Sequence, residues 1–278
     1  MKKGQSLLKL WATISAGFVF GVILFLFGYV FWKGAGSISL EFLTGKPKGV
    51  ILGTEGGIFP AIIGSLCFTG VAVVTASALG ISTAVFHVFY CKSNVMDTVI
   101  SLMMQCMAGL PSIVVGLFGY SVFVLAFGFG KSILAGGLTQ AVMILPFIEV
   151  RAEKTLQEAE PNSIRASYAL GATKSYTIAK VVLPEQLPKL TSDVIMAGLY
   201  AIGAAAPLIF TGAVILAGVP QSLMDPAMAL PNHLHLLLTQ GTSPQNAYGT
   251  AFVLMVLVLV LCFLASYLVR RKEKPWKK

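Results

Sequence analysis

Apolar residues along this chain fall into long runs separated by shorter polar stretches. Six runs stand out, at about 10–32, 58–86, 98–127, 132–149, 191–217 and 247–269, several of them reaching or exceeding the ~18–20 residues that cross a bilayer as helix. A membrane β-barrel would instead show short segments of alternating polarity. The pattern predicts an all-α integral membrane protein with six spans in a single domain. The second and third runs are long and Gly-rich, which predicts tilt or extension past the membrane. Pro111 is expected to kink or interrupt the third.

Composition agrees. Of 278 residues 56% are hydrophobic and 11% charged, whereas soluble domains carry about 25% charge. A net charge of +9 raises the question of nucleic acid, and its distribution answers it. With both termini placed in the cytoplasm, sixteen of the twenty basic residues lie inside: the N-tail, Lys92, the 150–190 loop and the C-tail through Lys274, Lys277 and Lys278. Lys33, Lys46, Lys48 and Lys131 lie outside. This asymmetry obeys the positive-inside rule, so the basic charge is topogenic. Membrane lipids with anionic headgroups are the expected partners, and nucleic acid is not. "MKKGQSLLKL" and the run after it resemble a signal peptide, but the run is too long and lacks a small-x-small site; an uncleaved first span is expected. Cys67, Cys91, Cys106 and Cys262 form no CxxC pair and read as small hydrophobes.

Two outer segments, 33–57 and 218–246, remain. Four prolines in the second confine any helix to about 232–240, a short amphipathic piece expected to lie on the membrane surface or meet an external partner. Several suggestive groups have plainer readings. Gly130–Lys131–Ser132 lacks the upstream glycine of a phosphate loop, since Leu125 stands there, and reads as a tight turn. His233 and His235 are two residues apart and point different ways on a helix. His87 reads as a solitary residue at a membrane edge. No metal site is expected. Glu149 and Asp193 lie near span ends, leaving no carboxylate mid-span, which argues against a proton- or sodium-driven carrier.

"GLPSIVVGLFG" at 109–119 admits two readings. Its glycines and Pro111 suit close helix packing, or they free backbone N–H groups to face a polar solute. The 150–190 loop is the longest polar insert. Pro161 opens one short helix, Gly171 suits its C′ terminator, and Thr173 caps a second before Pro184. Two helices joined at a glycine make a protruding elbow.

This elbow resembles the EAA loop of ABC-transporter permeases: Glu-Ala-Ala, a glycine after three residues, then an isoleucine and a closing Leu-Pro. Here Arg165, Ala166 and Ser167 occupy the first three positions, followed by Gly171, Ala172, Val181, Leu183 and Pro184. Arg165 replaces the usual glutamate. More widely, "GGIFPAIIGSL", "GLPSIVVGLFG", "ILPFIEVRAEKTL", "APLIFTGAVI" and "LPNHLHLLLTQG" resemble, in that order, the PstA-type permeases of phosphate importers. Ala204 stands where those usually carry an intramembrane glutamate.

The resemblance implies the six-helix, MetI-like fold of type I importer permeases in the inner membrane of a prokaryote. It implies a PstC-type permease partner, two PstB-type ATPase subunits and an outer phosphate-binding protein. ATP and Mg would sit on the ATPases, with no cofactor on this chain. The elbow would be the coupling helix. Candidate path residues are Pro111, Ser112, Gly116, Pro207 and Thr211, with Arg151 at the inner exit, because a dianion needs N–H and O–H donors. Alternatives are an ABC permease for molybdate, tungstate or sulfate, or an ATP-independent channel or carrier.

Overall fold

The computed structural model describes residues 2–48, 53 and 55–272. Lys274, Lys277 and Lys278 of the basic C-tail lie outside the described residues. The helices are α1 (Lys2–Ala35), α2 (Leu40–Thr44), α3 (Phe59–Val85), α4 (Asn94–Ala108), α5 (Ser112–Gly119) and α6 (Ile133–Gln157). They continue with α7 (Pro161–Ala169), α8 (Lys174–Thr177), α9 (Leu183–Ile202), α10 (Ala206–Thr211), α11 (Leu230–Gln240) and α12 (Pro244–Lys272). Strands β1 (Pro47–Lys48) and β2 (Glu55–Gly56) form a small antiparallel hairpin. Three π-helical turns extend α3 to Tyr90, α5 to Ala126 and α8 to Val182.

Local chemistry explains the starts and stops. Pro60, Pro161 and Pro207 stand in the first turns of their helices, where a missing N–H costs nothing, and Pro184 directly follows the π-helical turn that leads into α9. Ser132 caps α6 by accepting from the Ala135 N–H at 3.1 Å.

Among the described residues, four helices are long and apolar enough to cross a membrane: Lys9–Ala35, Phe59–Tyr90, Ile133–Gln157 and Pro244–Tyr267. The third predicted run is a bent pair, Asn94–Ala108 and Ser112–Ala126, turning by 100° at Gly109–Pro111. Counted as one span, it makes a fifth. The run at 191–217 is not one helix. It begins earlier, at Leu183, stops at Gly203, restarts in α10 at Ala206–Pro207 and ends at Gly212. Apolar composition alone does not reveal that a glycine–proline pair divides a run.

The centre of the molecule is α3 packed along α6. Gly136 and Gly137 bring the helices together: a Cβ on Gly137 would meet Val71 Cβ at 2.6 Å, and one on Gly136 would meet the Phe68 ring at 2.6 Å. Ala72 and Ala76 continue this close approach against Ala141, Ile144 and Ile148, and α9 covers them with Ala197 and Ala201. Helix α1 lies outside this core and touches α12 through Tyr29–Tyr248 and Phe31–Phe252 ring contacts.

The two outer segments fold onto each other. Phe42, Ile58 and Ala61 pack with Met228, Leu230, Leu237 and Ala247 in one apolar cluster. The short helix expected to lie on the membrane surface is thus largely claimed by the chain's own core. His233 is buried in it, with Nδ1 3.2 Å from Thr250 Oγ1.

Candidate functional site

The elbow is built as a stop and a restart. Helix α7 ends at Ala169, and the Gly171 N–H donates to Tyr168 O at 2.9 Å. Gly171 has φ +81°, the left-handed conformation of a C′ terminator, while a Cβ there would meet no atom within 4 Å. Backbone sign, not space, requires the glycine. Thr173 Oγ1 then accepts from the Tyr176 N–H at 3.3 Å and opens α8. The Ser167 and Thr177 hydroxyls lie 2.9 Å apart and tie the two arms.

An open groove of about 630 Å³ runs over this turn, lined by Ala166, Ser167, Gly171, Ala172, Tyr176 and Val181 among others. Arg165 and Pro184 are exposed outside that lining, and Leu183 turns inward with Ile164 onto a cluster containing Ala84, Ala152, Leu156 and Val182. The elbow therefore rests on the ends of α3 and α6. Lys174 reinforces this seat: its Nζ donates to Phe89 O and stands 5.0 Å over the Tyr90 ring.

A second cleft, of about 480 Å³, opens between α4, α5, α6 and α9. Ser112, Arg151, Lys154, Phe147, Pro146 and Tyr200 are among its walls. Here the structure brings together two residues thirty-nine positions apart in sequence, Ser112 and Arg151. The Arg151 guanidinium lies over Phe147 at 4.5 Å, and Phe147 stacks on Tyr200 with centroids 6.3 Å apart. Asp193 holds the guanidinium at 3.5 Å and accepts from Thr155 Oγ1 at 3.0 Å.

The other path candidates divide. Pro111 stands at the 100° bend as the residue before α5. Gly116 and Pro207 are both buried and pack on each other: a Cβ on Gly116 would meet Pro207 Cα at 3.3 Å. Thr211 is buried, and its hydroxyl donates to Pro207 O at 2.7 Å. Expected as a donor to solute, it instead closes a turn of α10, because a threonine hydroxyl finds the carbonyl four residues back most easily.

Two features escaped the sequence reading. Gln140, fully buried on α6, donates to Ala201 O at 3.0 Å and Ala204 O at 3.5 Å, while its Oε1 has no hydrogen-bond partner among the described residues. This places a buried amide beside the α9–α10 break, next to Ala204. The second is His87, which is not solitary. Its Nδ1 is 3.2 Å from Glu149 Oε1 and 3.7 Å from Glu153 Oε2, and its Nε2 is 2.9 Å from Asp97 Oδ1. No local pattern joins position 87 to 149; the packing of α3 on α6 does.

The chain is thus a helical bundle with several membrane-length helices, a bent helix pair lining a cleft and a polar elbow seated on the ends of α3 and α6. The chain belongs to the family of binding-protein-dependent transport system inner membrane components, which it matches over residues 76–274. It is an ABC-importer permease rather than an enzyme. Phosphate transport system permease protein PstA 1 of Mycobacterium tuberculosis is 32% identical over 232 residues, covering 79% of this chain and 73% of that one. The probable ABC transporter permease YqgI of Bacillus subtilis is 28% identical over 270 residues, covering 92% and 91%. Among solved structures, the inward-facing MetNI methionine ABC transporter shares the fold with TM-score 0.65 at 20% identity, covering 76% of this chain and 94% of that one. A bacterial alginate ABC transporter does so with TM-score 0.65 at 14% identity, covering 95% of both.

Proposed function

We propose that this chain is the PstA-type permease subunit of an ATP-driven importer of inorganic phosphate, acting in the cytoplasmic membrane of a prokaryote with both termini inside. The likeness to PstA 1 over 79% of the chain carries the reading. The cleft supports it chemically, since Ser112, Arg151 and Lys154 offer hydroxyl, guanidinium and ammonium donors on one wall system. A phosphate oxygen accepts well from such donors, and a guanidinium matches two of them at once. Release requires weak holding, and Asp193 competes for Arg151.

In this reading a PstC-type permease completes the path, two PstB-type ATPases bind beneath and a phosphate-binding protein delivers from outside. The elbow is the coupling helix: Arg165, Ala166, Ser167, Gly171 and Ala172 meet the ATPase, while Leu183 and Pro184 lead the movement into α9. ATP and Mg act on the ATPases. Closure of the ATPase dimer presses the elbow and rocks α3, α6 and α9 as a body. Gly116 and Pro207 form the packed neck between α5 and α10, and Pro111 sets the bend that leads into it.

A second reading, another oxyanion such as molybdate, tungstate or sulfate, draws on Arg165, where the EAA loop of ABC-transporter permeases usually has glutamate, and on Ala204, where PstA-type chains usually do. Uptake of labelled phosphate by a strain lacking the gene separates them. Loss of high-affinity phosphate uptake, restored by the gene, is expected. Unchanged phosphate uptake with lost uptake of another oxyanion would replace the first reading by the second.

A further inference from the structure

We propose that His87, Glu149 and Glu153 form a binding site for a borderline divalent cation of the zinc class, clamping α3 to α6 beside the elbow. The inference does not depend on which anion the permease carries.

The ligand atoms already stand at metal-site spacing. His87 Nδ1, a Glu149 oxygen and a Glu153 oxygen all lie within 4.8 Å of one another. Ligands about 2.1 Å from a tetrahedral zinc are roughly 3.4 Å apart. The two nitrogen–oxygen separations, 3.2 and 3.7 Å, bracket that value. Glu149 and Glu153 are one helical turn apart and face the same way from α6. His87 meets them from the π-helical turn Phe86–Tyr90, a type of distortion often found at functional sites.

The outer contacts suit ligation too. A metal-bound imidazole usually donates its other N–H to a carboxylate, which fixes its tautomer and aims the free nitrogen. Asp97, at 2.9 Å from Nε2, is placed to accept that bond. Nδ1 is then the lone-pair nitrogen, and it is the one that faces both glutamates.

Charge gives the reason to bind. The side chains of His87 and Glu149 are 2% and 1% exposed, so the cluster holds carboxylate charge away from water. A protonated imidazole between two carboxylates leaves a net negative charge. A divalent cation with neutral imidazole balances the two glutamates and leaves over only the part-exposed Asp97 carboxylate, which lowers the cost of burial. One imidazole nitrogen and two carboxylate oxygens favour zinc or its first-row neighbours over magnesium, which prefers all-oxygen octahedra. Entry is available past Glu153 and Asp97, whose side chains are 25% and 62% exposed.

The clamp would act where the elbow is seated. Phe89, two residues beyond His87, accepts from Lys174 of α8 through its carbonyl. A cation on His87 would therefore stiffen the support of the elbow.

The test uses the chain assembled with its partner subunits in detergent, stripped with chelator and dialysed against Zn2+, then Co2+. Metal per complex is counted by mass spectrometry beside the variant Glu153→Gln, whose site lies part-exposed. The expected result is one more zinc per copy of this chain in the unaltered complex than in Glu153→Gln. A visible Co2+ ligand-field band should be present in the former and absent in the latter. Asp97→Asn should weaken zinc binding about 10–100-fold through the imidazole it orients. Equal zinc in both complexes, with the same Co2+ spectrum, overturns the proposal and leaves a proton-bridged ion-pair cluster. Should Glu153→Gln fail to assemble, Asp97→Asn decides: zinc and Co2+ binding weakened in an intact complex upholds the site, and binding equal to that of the unaltered complex refutes it.

Discussion

The Arg151 guanidinium stands 3.5 Å from the Asp193 carboxylate and 4.5 Å above the Phe147 ring, inside a cleft that Ser112 shares. Three constraints hold one side chain: a counter-ion, an aromatic face and the wall of α6. Such a guanidinium is pre-aimed, so little entropy is lost when it meets an anion.

If Arg151 receives the anion, Arg151→Gln should reduce substrate uptake about 10–100-fold, the weight of a charge-assisted hydrogen bond of ~1.5–3 kcal/mol. Asp193→Asn should leave uptake equal or higher, since it frees the guanidinium. Both variants should reach the membrane, because the pair is partly exposed and contributes under ~1 kcal/mol. Full uptake by Arg151→Gln, measured with labelled substrate, would remove Arg151 from the path.

Gly171 has open space around its missing side chain but a φ of +81°. Substitutions should therefore rank by tolerance of the left-handed region. Asn should retain most coupling, Ala less, and Val least, the last penalised by at least ~1 kcal/mol. The measurement is ATPase stimulation by the loaded binding protein in reconstituted complexes. Full stimulation with Val would mean that the elbow's shape does not transmit ATP hydrolysis.

Gly116 lies against Ala206 and Pro207, where a Cβ would stand 3.0 Å from Ala206 O. Gly116→Val should force α5 and α10 apart and destabilise the bundle by about 1–3 kcal/mol. Gly128, by contrast, has no neighbour within 4 Å of a built Cβ but a φ of +70°. Its substitution by Asn should be mild. Thermal unfolding of the two variants in detergent compares neck packing with a plain turn.

Burial pushes His233 down to about 4 from its ordinary 6.5. The folded state thus binds fewer protons than the unfolded one between those values. Stability is fully present above pH 6.5 and is lost as pH falls toward 4. Between pH 7 and 5 the loss should be about 2 kcal/mol. His233→Gln should flatten that part of the profile of unfolding against pH. A slope unchanged by the substitution would assign the acid sensitivity to other groups.

The elbow was legible from the sequence because its grammar is local. Pro161, Gly171 and Thr173 each act within four residues, through a fixed φ, a left-handed turn and a hydroxyl cap. The apolar runs were legible for the same reason, as length and hydropathy are properties of a segment. Where those runs break was only partly so. Pro111 announced its bend, but the stop at Gly203 and restart at Ala206–Pro207 were hidden inside an apolar stretch. The short outer helix misled because amphipathicity says that one face is covered and not by what. Its cover is Phe42, Ile58 and Met228 of the same chain.

By itself the sequence determined the oily helical architecture, the placement of the polar elbow and the glycine on which it turns. These follow from backbone sterics and from the cost of burying polar groups, which act residue by residue. Only the tertiary structure decided that Ser112 faces the same cleft as Arg151, that Thr211 spends its hydroxyl on Pro207, and that His87 meets Glu149 across two helices. Those pairings depend on the register of α3 on α6 and on the bend between α4 and α5. The small residues that permit the close approach set that register, and their effect is felt only when both helices are present.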